Sequence, residues 1–114
     1  MDAAVPAAVA RDVDELSLAG LTAEPGQCVD VPRVAEAPVH LECRYIKTTE
    51  LPGDTANDVY CVIFGQVVGI NIKDEFITGD GEVDVGKMQP IARLGYQDYA
   101  VVNSDTIFTM QRPE

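Results

Sequence analysis

From Val39 the chain alternates between apolar and polar positions. Val39, Leu41, Cys43 and Tyr45 fall on one face, and His40, Glu42, Arg44 and Ile46 on the other. This period predicts a half-buried strand. Glu42 and Arg44 are same-face neighbours, within reach of an ion pair. The following stretch, Glu50 to Asp58, is dense in turn formers and predicts a loop. Val59 to Ile72 is the longest predicted strand, and both its faces are largely apolar. Such a strand is expected to be covered on both sides, by a barrel interior on one and by a helix or another subunit on the other. Gly65 and Gly69 share a face and predict a bulge, a bend or a close backbone approach.

The flanks are less regular. Residues 3–10 are Ala-rich and helical in tendency, with Pro6 tolerated only near a helix start. A short helix over residues 12–18 is expected, capped by Asp12 and stopped by Gly20. Pro25, Gly26, Pro32 and Pro38 mark connecting structure with one short extended piece. After a turn at Lys73–Glu75, Phe76–Ile77 begins a short strand and Thr78–Gly81 turns the chain. Val85 to Ile91 holds one helical turn, ended near Pro90. Residues 92–95 and 98–102 read as short strands or their connections, and Thr106 to Met110 as a final strand. No internal repeat is present. The fold class is mainly β with short helices, most simply a small antiparallel barrel in a single domain over residues 1–114.

Composition narrows the function classes. A chain of 114 residues with 46% hydrophobic content can bury a single core, which excludes a disordered segment. No apolar run approaches the roughly 18 residues of a membrane span. A net charge of −11 repels phosphate, so nucleic acid is excluded as a partner. Cys28, Cys43 and Cys61 make an odd set without a CxxC pair and match no zinc spacing. They are expected to be reduced thiols in a cytoplasmic protein. The N-terminus lacks the basic and long apolar regions of a secretory signal.

Few residues offer chemistry by themselves. His40 lies mid-strand without a recognisable partner and reads as structural. Gly79-Asp-Gly81 is a hairpin turn rather than a phosphate loop. Asp80, Glu82 and Asp84 alternate, but the glycine and terminal glutamate of a calcium loop are missing, so no metal site is expected. Lys87 and Arg93 are either two solvated charges or an attraction for an anionic ligand.

An ordered set of segments is more specific. Leu18-Ala-Gly-Leu21 is followed by Val39-His-Leu-Glu-Cys43, Val62-Ile-Phe-Gly-Gln-Val-Val68, and Asp80-Gly81 with Asp84. Pro90-Ile-Ala-Arg-Leu-Gly-Tyr96 with Tyr99 comes next, and the set closes on Phe108 and Arg112-Pro113. Over about residues 12–113 this order resembles the C-terminal half of the flavin reductase family with the FMN-binding split-barrel fold. The resemblance implies an incomplete antiparallel split β-barrel, a homodimer with FMN near the subunit interface, and NAD(P)H as the reductant. It also implies cofactor-binding roles for Arg93, Gly95, Tyr96 and Tyr99. Arg93 would offer a cationic fork to a phosphate or carboxylate, and Tyr96 or Tyr99 would lie against a ring. A structural role stands beside each: Arg93 paired with an acid such as Asp98, and the tyrosines filling an interface. No catalytic acid or nucleophile is expected, because the cofactor carries the hydride chemistry.

Two departures qualify the resemblance. The family's half-domain that precedes the Leu18–Leu21 segment, with most groups that hold the FMN phosphate, has no counterpart in this sequence. A truncated form, a second polypeptide completing the barrel, or a swapped dimer is therefore expected. Asn71 stands where related sequences often carry His, which removes an acid or a nicotinamide contact. The leading functional expectation is an NAD(P)H-dependent, FMN-binding flavin reductase-like protein. The alternatives are a non-catalytic truncated subunit or dimerising remnant, and a module for another heterocycle or haem-like ligand with His40 as its nitrogen ligand.

Overall fold

A computed structural model describes residues 12–114, so the helical tendency of residues 3–10 lies outside the described part. The chain divides into two compact units, one running through Asn71 and the other from Ile72 to Glu114.

The first unit opens with α1 (Glu15–Leu18), a single turn. Its N-cap is Asp14, not the expected Asp12. The Asp14 carboxylate accepts from the Leu16 and Ser17 backbone N–H groups at 3.1 and 3.4 Å, and from the Ser17 hydroxyl at 2.8 Å. Only the residue just before the first turn reaches those donors, which rules out Asp12. Gly20, at φ +75°, ends the turn as expected. The extended piece among the prolines is a two-residue pairing. Strand β1 (Ala23–Glu24) runs antiparallel to β2 (Arg33–Val34), with Glu24 opposite Arg33.

β3 (Val39–Pro52) and β4 (Val59–Ile72) form the second sheet. Residues 53–58 are too short a link for a parallel crossover, so the pair is a hairpin. The Gly53 N–H closes it on the Asp58 carbonyl at 2.9 Å. β4 has its predicted bounds. β3 runs on through Pro52, because pairing with β4 overrides the turn formers at Glu50–Pro52. The close approaches expected at the two glycines are present. A methyl at Gly69 would lie 2.6 Å from the Cys28 sulfur, and one at Gly65 would lie 3.2 Å from the Cys43 Cβ.

The burial of this hairpin reverses the expectation from hydrophobicity. His40 and Glu42 are the buried side chains, at 8% and 7% exposure, while Leu41 and Tyr45 on the apolar face are 58% and 64% exposed. β4 is exposed from Val59 to Val67, so the two-sided cover expected for it is not supplied by the described residues. None of their hydrophobic side chains is buried. The three cysteines are free and exposed.

In the second unit, a 3₁₀ turn at Asp74–Phe76 replaces the expected start of a strand. Only Ile77 bridges, to Val83, across the turn that Gly81 completes at φ +83°. α2 (Val85–Met88) is the predicted helical turn. Asp84 caps it, accepting from the Lys87 N–H at 3.1 Å, and Gln89 ends it in the left-handed region. β5 (Ile91–Arg93) and β6 (Tyr99–Val101) make the third sheet. The final strand expected at Thr106–Met110 does not form. Asn103 and Thr106 instead close a turn, and no strand among the described residues pairs with the segment beyond it. A lone extended segment has no ladder bonds to hold it. Among the described residues the architecture is thus mainly β, antiparallel and open: three two-stranded sheets with short helical turns.

Candidate functional site

All four residues expected at a cofactor site lie on the β5–β6 hairpin. Its register pairs Ile91 with Val101, Ala92 with Ala100 and Arg93 with Tyr99. The loop closes by bonds from the Leu94 N–H to the Asp98 carbonyl at 2.9 Å and from the Asp98 N–H to the Gly95 carbonyl at 3.0 Å. The cross-strand pairing lays the Arg93 guanidinium over the Tyr99 ring, 5.7 Å from its centre. One guanidinium N–H donates to the Tyr96 carbonyl at 2.9 Å. Tyr96 itself lies in a left-handed conformation, φ +57°, unusual for a residue with a Cβ, which turns its carbonyl toward that donor. Its side chain projects from the loop, 94% exposed. Gly95 has open space around it.

Arg93 does not pair with Asp98; both ion pairs among the described residues belong to Arg33. The hairpin therefore presents a cation anchored over one accessible aromatic ring, Tyr99, with a second exposed ring, Tyr96, on the same loop. Such a set can hold an anion beside a flat ring system. The other expected cation, Lys87, lies over the Phe76 ring at 5.8 Å. Asn71 is half-buried at the end of the β4 strand.

A second cluster, in the first unit, was not anticipated. Glu42 Oε1 accepts three consecutive backbone N–H groups, from Gln27 and Cys28 at 2.8 Å and from Val29 at 3.2 Å. Its Oε2 accepts from Arg33 at 3.2 Å, and Arg33 Nε in turn donates to Glu24 at 2.9 Å. The Cys28 N–H bond is the largest influence holding the Glu42 carboxyl below its ordinary value of 4.5. The Val29 and Gln27 bonds and the Arg33 charge act with it, and burial opposes them. The ion pair expected with Arg44 is thus replaced by one with Arg33. No periodicity could reveal this, because the donors come from a loop thirteen to fifteen residues away. The one available sign was Pro25-Gly26. A methyl at Gly26 would lie 2.7 Å from Glu42 Oε1 and 2.6 Å from the Val29 carbonyl. Gly26→Ala is expected to destabilise the protein by about 1–3 kcal/mol through this overpacking, measured as a lower urea midpoint at unchanged slope.

Beside the cluster is an open cavity of about 460 Å³, walled by Val29, Val31, Val34, Val39 and Leu41, with His40 and Glu42 on its polar side. The His40 Nε2–H donates to the Val34 carbonyl, while Nδ1 is buried without a partner. With one ring nitrogen engaged and the other enclosed, His40 presents no free ligand atom for a haem-like group.

The flavin reductase like domain model matches residues 2–97. An uncharacterized protein of Halalkalibacterium halodurans is 29% identical over 99 residues, which cover 87% of this chain and 46% of that protein. Among solved structures, nitrilotriacetate monooxygenase component B from Bacillus cereus superposes with a TM-score of 0.78 at 27% identity, covering 91% of this chain and 50% of that one. Flavoredoxin of Desulfovibrio vulgaris shares the fold, with a TM-score of 0.74 at 23% identity over 92% of this chain and 51% of that one. The chain therefore spans about half the length of the proteins it matches. The open antiparallel sheets are part of a split barrel, and the chain belongs to the flavin reductase-like domain family.

Proposed function

We propose that this chain serves NAD(P)H-dependent reduction of flavin and that the β5–β6 hairpin forms part of an FMN site, with Arg93, Gly95, Tyr96 and Tyr99 as its contacts. The observation that carries this reading is the Arg93 guanidinium, anchored on the Tyr96 carbonyl and laid over the Tyr99 ring on an accessible surface. FMN combines an anionic phosphate with a flat apolar ring, and the hairpin offers chemistry suited to both. Once bound, the flavin supplies the hydride-accepting chemistry. The residues bind and orient: Arg93 holds negative charge, the tyrosines bear on a ring, and Gly95 leaves the backbone bare beside them. Three free thiols suit a cytoplasmic setting.

FMN titration of the purified chain, followed by flavin fluorescence, tests the reading. Saturable quenching in the micromolar range is expected, with NADH and NADPH oxidation then assayed in the presence of FMN. The second reading, a subunit without its own flavin site, is favoured by the absence of any buried hydrophobic side chain among the described residues. It predicts no quenching by the chain alone. Absence of quenching both alone and with the rest of the barrel supplied would overturn the FMN site.

A further inference from the structure

Residues 25–32, which link β1 to β2, have no ladder of their own. Among the described residues, none of them donates its N–H to a backbone carbonyl. The N–H bonds of this loop are the three that Gln27, Cys28 and Val29 give to one oxygen of Glu42, at 2.8, 2.8 and 3.2 Å. Successive N–H groups converging on one point form a nest, a concavity that selects negative charge. Arg33 completes it by donating to the other oxygen at 3.2 Å. The lack of a Cβ at Gly26 lets the chain wrap the carboxylate, since a methyl there would lie 2.7 Å from Oε1. The same loop sets the Cys28 sulfur against the bare backbone of Gly69 on β4. It is a strap laid over both strands of the hairpin, and its polar anchor is one carboxylate, 7% exposed.

We infer that this loop is an anion cradle occupied by the chain's own Glu42, and that it takes a small free carboxylate such as acetate when the Glu42 side chain is removed. The donors are backbone groups and Arg33, so they remain when that side chain goes. A carboxylate matches them because it is acceptor-only, with one oxygen for the nest and one for the guanidinium. A neutral amide of the same shape turns N–H groups toward donors. The order of the strap is therefore set by whether negative charge fills the cradle, a latch built into the fold. The latch lies within the first unit and is read without reference to flavin.

The test titrates Glu42→Ala with sodium acetate at fixed ionic strength, with acetamide as the neutral match. Saturable stabilisation is expected, half-complete in the millimolar range as befits so small a ligand. The parent, whose cradle is full, should not respond, and neither should Glu42→Gln, whose amide still fills the space. Hydrogen exchange at Gln27, Cys28 and Val29 should quicken at least about tenfold in Glu42→Ala and slow again with acetate. If Glu42→Ala is unfolded without the anion, the same titration reads the recovery of its circular dichroism. Acetate acting alike on Glu42→Ala and the parent would overturn the inference. So would acetamide acting as well as acetate, or exchange at the three amides that ignores the loss of Glu42.

Discussion

Glu42→Gln is expected to lower the melting temperature at neutral pH by on the order of 5–10 °C and to flatten the acid side of the stability profile. The carboxylate collects four donors: three loop N–H groups on one oxygen and Arg33 on the other. Glutamine keeps the shape but loses the charge that makes those bonds strong, and it turns an amide of mixed polarity toward donor-only partners. Arg33 then keeps only Glu24, an exposed partner. The pH dependence follows from the direction of the shift. The folded-state carboxyl of Glu42 is held below 4.5, so its stabilising contribution is complete above that ordinary value and fades as pH falls through the folded value. The difference between the parent and Glu42→Gln should therefore be constant at neutral pH and shrink below pH 4.5. Some acid sensitivity remains in the variant. The Asp14 carboxyl is also held low, first by the Ser17 hydroxyl bond and then by backbone N–H groups at the α1 cap. Thermal unfolding monitored by circular dichroism between pH 3 and 8 measures both effects. Parallel curves for parent and variant down to the acid limit would show that the cluster does not link proton binding to folding.

How much of this was legible in the sequence differs by element. The β4 strand was read to the residue, because Val59–Ile72 is a long β-branched run bounded by Asp58 on one side and Lys73-Asp74 on the other. The Gly81 turn and the α2 turn were also local, each fixed by residues within five positions. Alternation placed β3 but could not say which face would be buried. Apolar Leu41 and Tyr45 predicted one face inward, yet the loop donors at Gln27–Val29 and the Arg33 guanidinium cover the His40–Glu42 face. Those partners are distant in sequence and obey no period. The Thr106–Met110 strand failed for a related reason, since strand propensity without a neighbouring edge gives no ladder. At the candidate site, the clustering of Arg93, Gly95, Tyr96 and Tyr99 was legible because the four lie within seven consecutive residues of one hairpin. The bond from Arg93 to the Tyr96 carbonyl was not, because it depends on the left-handed turn at Tyr96, and tyrosine carries no sign of one.

That bond decides what substitution at Arg93 should do. Arg93→Ala is expected to weaken FMN binding by about 10- to 100-fold, the usual effect of removing a charged hydrogen-bond donor. Arg93→Lys should recover only part of the loss. It restores the charge, but not the planar fork that reaches the Tyr96 carbonyl while stacking on Tyr99. The affinity difference between the parent and Arg93→Ala should narrow as salt is raised, because the exposed guanidinium is screened. A role confined to pinning the hairpin would behave differently. Alanine would then lower affinity and melting temperature together, and added salt would leave the affinity gap unchanged. Fluorescence titration of the three proteins at two salt concentrations, with melting curves on the same samples, separates the two roles. Equal FMN affinity across all three would remove Arg93 from the site. The hairpin's exposed tyrosines would then be left without a cation to orient the flavin.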